Sequence, residues 1–240
     1  MRNESPHNET EQNYISLQQE MQTKIDFTNL VDLSTVKTVA GVDLAYWKVD
    51  GQEYAACCIV ILDFKTKEVI ERVHSADKIT VPYIPGCLAF REIPLFLTAY
   101  DKLSSAPDLL VFDGNGYLHP RHMGLATHAG ILIDKPTIGV AKSYYKVQDV
   151  DFVMPDEAAG SYTDIRINEE VYGRVLRTHT GVRPIFVSVG NRIDLETATE
   201  AVKEFVTKES HIPMPTRLAD LMTHEVRKKY EAKEHKILNE

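Results

Sequence analysis

The stretch Leu109-Leu-Val-Phe-Asp-Gly-Asn-Gly-Tyr-Leu-His-Pro-Arg-His-Met-Gly124 joins an apolar run directly to a glycine-rich loop. The run from Leu109 to Phe112 is short and follows Pro107, so the pattern predicts a central strand. Asp113 then emerges at the carboxyl end of that strand, the edge where open α/β sheets bind ligands. Two interpretations stand at this point. Either the loop is a binding site, or Asp113 caps a turn and the glycines supply positive φ.

The runs on either side of this strand predict an α/β fold. Three strands over 36–46, 54–62 and 68–75, joined by short turns, indicate an antiparallel meander. The strand ending at Asp113, a helix over 122–131 and a strand over 136–141 indicate a βαβ unit with parallel strands. The other predicted elements are a helix over 14–25, a helix over 87–103 interrupted by Pro94, a hairpin with strands over 171–178 and 184–189, a helix over 196–208 and a helix from Thr216 onward.

The composition, with 43% hydrophobic and 26% charged residues, is typical of a globular protein with one substantial core. We expect one domain over 1–240: a helical extension over 1–32, a core over 33–225 and a charged tail over 226–240. No apolar run is long enough to span a bilayer, and the polar N-terminus lacks a secretory signal, so we expect a cytoplasmic protein without a membrane partner. We also expect the protein to be a monomer. The three cysteines include no Cys-x-x-Cys pair, which predicts core residues rather than a zinc site.

Charge is distributed unevenly along the chain. The net charge of -8 argues mildly against a nucleic-acid partner, although binding depends on where the charges lie. The stretches 135–148 and 171–193 carry basic but no acidic residues, whereas the segment 149–170 between them holds seven carboxylates and one arginine. We interpret the acidic segment as a solvated connection and the basic stretches as candidate phosphate contacts.

Three carboxylates follow one another through the predicted elements: Asp43 on the first strand, Glu92 on the next helix and Asp113 at the following strand end. An ionised carboxylate in an apolar strand is costly unless it is paired or binds a metal. Each also has a structural alternative, since Asp43 could cap a strand and Glu92 could pair with Arg91 in solvent. Together, however, the carboxylates can meet at one point, which suits Mg²⁺ or Mn²⁺. Two such ions could support phosphodiester hydrolysis by activating water and stabilising the leaving oxygen.

Four segments carry a resemblance to a known family: Val39-Ala-Gly-Val-Asp-Leu-Ala45, Pro82-Tyr-Ile-Pro-Gly-Cys-Leu-Ala-Phe-Arg-Glu92, the loop over 113–124, and Pro136-Thr-Ile-Gly-Val-Ala-Lys142. On these segments, which cover most of residues 39–142, the chain resembles endonuclease V, a family whose core resembles ribonuclease H. The resemblance implies a ribonuclease H-like mixed sheet flanked by helices. The segment 213–220 resembles the family's closing helix and makes Asp220 a fourth candidate metal ligand. Without the resemblance, Asp220 is only an acid in the first turns of a helix, where the macrodipole favours it.

The resemblance also implies an activity: Mg²⁺-dependent cleavage, with Mn²⁺ as a substitute, of DNA containing deaminated bases. The expected lesion is chiefly deoxyinosine, and the expected cut is at the second phosphodiester bond on its 3′ side. The lesion must leave the stack to be read, because hypoxanthine differs from a normal base at its pairing edge. The segment 82–86 resembles the family's wedge, in which Tyr83 fills the space of the flipped base. Tyr83 could instead be a core aromatic, but the bracketing prolines favour an exposed loop. The residues assigned to this wedge are Pro82, Tyr83, Ile84, Pro85 and Gly86.

The flipped base is expected to enter a backbone-lined pocket, because missing side chains leave room for its edge to be read. The residues assigned to this pocket are Leu88, Gly114, Gly116, Gly124 and Leu125. His119 is a candidate to stabilise or protonate the scissile phosphate, with a structural hydrogen bond as its alternative. Lys142 is a candidate to contact phosphate or water near the ions. The full catalytic prediction is thus Asp43, Glu92, Asp113, His119 and Lys142, with Asp43, Glu92, Asp113 and Asp220 as metal ligands.

Three rival functions remain. An inosine-specific ribonuclease could use the same core if it accepted the 2′-hydroxyl of RNA. A non-catalytic lesion-binding protein would be expected to have lost part of the carboxylate set, which is intact here. A small-molecule phosphoesterase would have no need of a wedge.

Overall fold

A computed structural model describes residues 6 to 237 of the chain, and within these residues eight strands form one mixed sheet. The strands are β1 (Thr38–Val49), β2 (Gln52–Asp63), β3 (Val69–Lys78), β4 (Leu109–Asp113), β5 (Thr137–Ala141), β6 (Tyr162–Ile167), β7 (Glu170–Leu176) and β8 (Ile185–Asn191). Their order across the sheet is β3-β2-β1-β4-β5-β8-β7-β6. The helices are α1 (Pro6–Gln22), α2 (Ala89–Tyr100), α3 (Leu125–Ile133), α4 (Leu195–Glu204) and α5 (Met214–Ile237).

The predicted meander and the predicted βαβ unit are both confirmed. β1 pairs antiparallel with β2, and β2 with β3. β1 pairs in parallel with β4, and β4 with β5, in a register that places Val42 beside Phe112. Asp43 and Asp113 are the next residues on these two neighbouring strands, so they lie at the same level of the sheet. This arrangement, with helices flanking the sheet, confirms the expected ribonuclease H-like architecture.

The acidic segment over 149–170 is more than a solvated connection, and that interpretation was wrong for β6. β6 pairs antiparallel with β7, while Ile165 and Ile167 point into the core. On its other face Asp164 accepts a hydrogen bond of 3.0 Å from Arg174 of β7. A strand at the edge of a sheet keeps polar residues on its solvent face, which is why the segment looked like a connection. The predicted hairpin of β7 and β8 is confirmed.

The ends of several helices differ from the prediction. α1 begins at Pro6 rather than Tyr14, and α3 begins at Leu125 because the residues just before it belong to the loop that follows β4. Pro94 lies inside α2 with an exposed side chain, so the backbone hydrogen bond that it removes is on the solvent side.

α5 runs as one helix across residue 226, the predicted start of the charged tail. Val226 is buried, and Tyr230 packs beside Trp47 at a ring distance of 5.8 Å, so this part of the helix belongs to the packed structure. The parts of the predicted extension and tail at 1–5 and 238–240 lie outside the described residues.

The sheet is covered on both faces. Val39 of β1 packs in a cluster that includes Ala201 of α4 and Ala219 of α5. Its neighbour Ala40 points the other way, into a cluster with residues of α2 and α3. The cysteines are buried and free, as expected of core residues, at Cys57, Cys58 and Cys87. No helix among residues 6 to 237 combines the length and apolar character needed to cross a membrane.

α5 approaches the sheet closely at Gly41 of β1. A Cβ atom built on Gly41 would lie 2.0 Å from the carbonyl carbon of Pro215, in the first turn of α5. Only a residue without a side chain permits this approach. It brings Asp220, one to two turns further along α5, beside Asp43 of β1.

Candidate active site

Three carboxylates from distant parts of the chain meet at the carboxyl end of β4. Asp43 comes from β1, Asp113 from the end of β4 and Asp220 from α5, and one oxygen of each lies within 4.8 Å of the others. The carboxylates predicted from strand order thus do converge at β1 and β4. Asp220, which the resemblance alone suggested, completes the group. Glu92 lies outside this carboxylate triad, although it is close by.

The triad is electrostatically costly without a cation. Burial raises the pKa of Asp43 to about 8, and the charges of Asp113 and Asp220 act in the same direction. Burial also raises the pKa of Asp113, against the opposing effect of Lys142. Clustered carboxylate oxygens are the ligands that hard divalent cations prefer, and such an ion would remove the repulsion. The triad therefore could hold a metal ion.

Lys142 is the one cation in direct contact with two members of the triad among the described residues. It follows β5, and its Nζ lies 2.5 Å from Asp113 Oδ2 and 3.8 Å from Asp220 Oδ1. Burial lowers the pKa of Lys142, but the bond to Asp113 and the nearby carboxylates outweigh it and raise the pKa. Lys142 therefore stays charged and offsets part of the repulsion.

Glu92 is buried beside the triad in a polar setting of its own. Tyr46 donates a hydrogen bond of 3.0 Å to its Oε1. Burial raises the pKa of Glu92 to about 7. The hydrogen bond from Tyr46 and the charge of Arg91 lower this pKa, and the charge of Asp113 raises it. The solvated helix charge considered as its alternative is excluded, since only 6% of Glu92 is exposed.

A cavity of about 230 Å³ opens next to Glu92 and Asp113. This volume is below the ~300–1,000 Å³ typical of pockets for drug-sized ligands, so the cavity suits a small group. The other residues that line it are Tyr83, Gly86, Leu88, Ala89, Gly114, Asn115, His119, Met123, Gly124, Leu125 and Tyr145. We call it the base cavity, after the flipped base that the resemblance leads us to expect there. A larger cavity of about 310 Å³ beside Phe27 and Tyr172 contains no member of the triad.

Most residues predicted for the pocket line the base cavity, but Gly116 does not. Its amide donates to Ser188 Oγ at 2.9 Å, and it packs against the backbone of Val189 in β8. Gly116 therefore seats the loop on the sheet instead of facing the cavity.

The sequence interpretation did not include four residues that line the base cavity: Ala89, Asn115, Met123 and Tyr145. Asn115 Oδ1 is buried and has no hydrogen-bond partner among residues 6 to 237. A buried polar atom of this kind is costly unless something pairs with it. Its position between two of the predicted glycines was the signal that could have identified it.

The predicted wedge is a tight turn with an exposed tyrosine. The amide of Cys87 donates to the carbonyl of Ile84 at 2.9 Å, and Gly86 between them has a φ of 74°. This is the pattern of a type II turn with Pro85 at its first central position. Tyr83 is 61% exposed, so the core-aromatic alternative does not apply. Ile84 is only 2% exposed and anchors the turn from below, which leaves it no surface for the substrate contact predicted for it.

Both ring nitrogens of His119 are engaged by the backbone. Nδ1 accepts from the amides of Arg121 at 3.2 Å and Met123 at 3.3 Å, and Nε2 lies 3.0 Å from the carbonyl of Gly86. Since Nδ1 accepts, Nε2 carries the proton and donates to Gly86. Burial lowers the pKa of His119 to about 3, with Arg121 acting in the same direction. The structural hydrogen bond that we considered as its alternative is thus formed.

Residues 19 to 221 match the sequence profile of endonuclease V. The chain belongs to the endonuclease V family. Endonuclease V of Bacillus thuringiensis subsp. konkukian is 57% identical over 218 residues, covering 91% of this chain and 93% of that protein. The crystal structure of endonuclease V from Bacillus subtilis is 50% identical, with a TM-score of 0.91 over 93% of this chain and 94% of that one.

A more distant member of the family was solved with nucleic acid. Ciona intestinalis endonuclease V was crystallised in complex with a 24mer DNA containing an inosine followed by a ribo-adenosine. It is 30% identical, with a TM-score of 0.79, and covers 92% of this chain and 99% of that chain. The chain is therefore an enzyme of a nuclease family.

The raised pKa of Asp43 predicts how metal binding and stability depend on pH. An acid whose pKa rises from 3.8 to about 8 on folding stabilises the fold below pH 3.8 and loses that contribution as the pH rises through 8. Without metal, the protein should therefore lose stability between pH 4 and 8. A divalent cation needs the ionised carboxylate, so its stabilising effect should grow with pH over the same range.

Melting temperatures measured in EDTA and in Mg²⁺ at pH 6 and pH 9 check this prediction. The Mg²⁺-induced rise should be larger at pH 9, by roughly 2–4 °C for each kcal/mol of added stabilisation. An Asp43→Asn variant should lack the pH-dependent difference. A rise of equal size at both pH values in the unsubstituted protein would contradict the assignment.

Proposed function

We propose that this protein is a Mg²⁺-dependent endonuclease that cleaves DNA near deaminated bases, chiefly deoxyinosine. The proposed cut is at the second phosphodiester bond on the 3′ side of the lesion, and Mn²⁺ can replace Mg²⁺. The observation that carries the proposal is that the base cavity and the carboxylate triad share Asp113. A base held in the cavity would place its own strand beside the triad.

Asp43, Asp113 and Asp220 would hold the ion, with Glu92 as a further ligand, directly or through water. The donor set fits Mg²⁺, since it offers carboxylate oxygens and leaves coordination positions open for water and phosphate. Bound there, the ion would supply Lewis-acid polarisation of a phosphoryl oxygen. Lys142 adds a positive charge at the same point and can donate to a phosphate oxygen.

Reading and cutting use different residues in this proposal. Tyr83, at the exposed tip of the wedge, would fill the space that the flipped base leaves in the stack. The base would then meet the backbone of Gly114 and Gly124 and the unpartnered Oδ1 of Asn115. Hypoxanthine carries a donor at N1 where adenine has an acceptor, so acceptors in the cavity favour the deaminated base.

Inosine-containing RNA is a second candidate substrate. The DNA strand bound to the Ciona enzyme carries a ribonucleotide directly after its inosine, which favours a site in that protein that admits a 2′-hydroxyl. The non-catalytic alternative is less favoured, because the triad is complete.

A nicking assay tests the proposal. End-labelled duplexes with a single deoxyinosine, xanthosine, uracil or adenine, and an RNA with a single inosine, are incubated with enzyme in Mg²⁺, Mn²⁺, Ca²⁺ or EDTA. We expect one product, cut at the second bond 3′ to deoxyinosine, in Mg²⁺ and Mn²⁺ but not in EDTA. Cleavage in EDTA, or equal cleavage at adenine and deoxyinosine, would overturn it. Faster cleavage of the RNA would select the second candidate.

A further inference from the structure

The carbonyl oxygen of Gly86, in the wedge turn, accepts hydrogen bonds from three side chains. The donors are Gln18 Nε2 at 2.9 Å, Arg121 Nη2 at 2.8 Å and His119 Nε2 at 3.0 Å. A carbonyl oxygen has two lone pairs, so three donors saturate it. Gly86 is thus the point at which the wedge is tied to its surroundings.

The three donors come from two different parts of the chain. His119 and Arg121 belong to the loop between β4 and α3, which forms the opposite wall of the base cavity. Gln18 belongs to α1, and no residue over 9–22 of that helix lines the cavity. We call Gln18, His119, Arg121 and the Gly86 carbonyl the wedge clamp.

Gln18 holds the clamp together through both ends of its amide. While Nε2 donates to Gly86, its Oε1 accepts from Nε of Arg121, whose guanidinium also reaches Gly86. Gln18 is 0% exposed, so water cannot replace either bond. Removing the side-chain amide would leave Nε of Arg121 without this partner and would break the tie from α1 to the wedge, while His119 and Arg121 still fill the two lone pairs of the Gly86 carbonyl.

α1 can hold Gln18 in place because it also contacts the rest of the protein through a residue outside the wedge clamp. Tyr14, one turn before Gln18, stacks on Phe90 of α2 with ring centroids 4.1 Å apart. Phe90 in turn meets the ring of His128 in α3 at 5.1 Å. α1 thus contacts α2, which begins at one wall of the base cavity, and Phe90 of α2 links it to α3, which begins at the other wall.

We propose that Gln18 is a positioning residue for base discrimination, which acts by fixing the distance between the wedge and the loop that reads the base. The inference rests on the proposed function. The cavity can distinguish hypoxanthine from adenine only if donors and acceptors on its two walls stay in register with the edge of the base. Asp43, Asp113 and Asp220 make no contact with Gln18 among the described residues, so a loosened clamp would leave the metal site in place.

The test compares Gln18→Leu, which removes both bonds at similar volume, with Gln18→Glu, which retains the acceptor for Arg121 and loses the donor to Gly86. Gln19→Leu is the matched control, because Gln19 is the next residue on the same helix and is exposed. For each variant, single-turnover kcat and KM are measured on deoxyinosine and adenine duplexes, together with the Mg²⁺ midpoint and the melting temperature.

For Gln18→Leu and Gln18→Glu we expect KM for the deoxyinosine duplex to rise roughly 10-fold, which corresponds to ~1.4 kcal/mol of lost binding energy, because in both variants α1 no longer holds the Gly86 carbonyl of the wedge. Selectivity for deoxyinosine over adenine should fall by a similar factor, while kcat and the Mg²⁺ midpoint change less than about twofold. Gln19→Leu should match the unsubstituted enzyme. Tyr83→Ala serves as the reference for a lost wedge.

Unchanged selectivity in Gln18→Glu would overturn the proposal, and so would a parallel fall of kcat and metal affinity in both variants. If Gln18→Leu fails to fold, Gln18→Glu decides alone. Failure of the unsubstituted enzyme to prefer deoxyinosine would refute the proposed function instead, so the two failures are distinguishable.

Discussion

Replacing Asp43 with Asn is expected to lower the rate of nicking at deoxyinosine by about 10³-fold or more, because a lost metal ligand removes several kcal/mol of transition-state stabilisation. Asp43 is buried, and an oxygen of each of the other two triad carboxylates lies within 4.8 Å of one of its own oxygens. Asparagine preserves its shape and can still accept the hydrogen bond that Thr223 gives to Oδ2 at 3.3 Å. The defect should therefore lie in charge and coordination, with the fold intact.

The metal-free stability of Asp43→Asn separates this explanation from a folding defect. Since the substitution removes one of three mutually repelling charges, the variant should melt at or above the temperature of the unsubstituted protein in EDTA at pH 9, and Mg²⁺ should no longer raise that temperature. Asp151→Asn is the control, because the Asp151 side chain is 81% exposed and forms an ion pair with Lys146, away from the triad. Full nicking activity in Asp43→Asn would remove Asp43 from the metal site.

Replacing Gly41 with Ala is expected to lower the stability of the fold more than any other substitution proposed here. It is also expected to weaken metal binding. The new Cβ would lie 2.0 Å from the carbonyl carbon and oxygen of Pro215 and 2.6 Å from the amide of Thr216, all of them backbone atoms. No side-chain rotation relieves such contacts, so α5 must move away from β1. Overpacking of this kind costs about 1–3 kcal/mol or more.

Because Asp220 lies on the displaced helix, the Mg²⁺ midpoint of Gly41→Ala should rise by at least about 10-fold, the change that accompanies the loss of ~1.4 kcal/mol of binding energy. Thermal melts and Mg²⁺ titrations measure the two effects. Gly160→Ala is the control: Gly160 has a φ of 88° and nothing near its Cβ position, so it tests backbone strain without crowding. An unchanged Mg²⁺ midpoint in Gly41→Ala would show that Asp220 contributes nothing to metal binding.

The sequence predicted the part of the site that follows from local pattern. Val39 to Ala45 and Leu109 to Asp113 are apolar runs with a carboxylate at a defined place, and parallel pairing of neighbouring strands brings such places together. Glu92 was predicted from its helix face and is buried beside Asp113, but it lies outside the triad and accepts a hydrogen bond from Tyr46.

Residues fixed by long-range packing could not be predicted from local pattern. Asp220 reaches the triad only because Gly41 lets α5 approach the sheet, and nothing in the helix sequence itself indicates that contact. His119 stands in a glycine-rich loop, as a catalytic histidine would, yet the backbone takes both of its nitrogens. β6 was not predicted for a similar reason: its polar residues resemble those of a loop, and its pairing with β7 cannot be read from its own sequence.

The crossing of α5 over β1 also makes the site depend on the order in which the chain is synthesised. Asp43 and Asp113 are made first, and Asp220 arrives on the last helix. We expect a nascent polypeptide that has not yet placed α5 on the sheet to present only two of the three triad carboxylates, and so to bind a divalent cation more weakly than the folded protein. The complete set of candidate metal ligands is therefore expected to form late, after α5 has been synthesised and packed on β1.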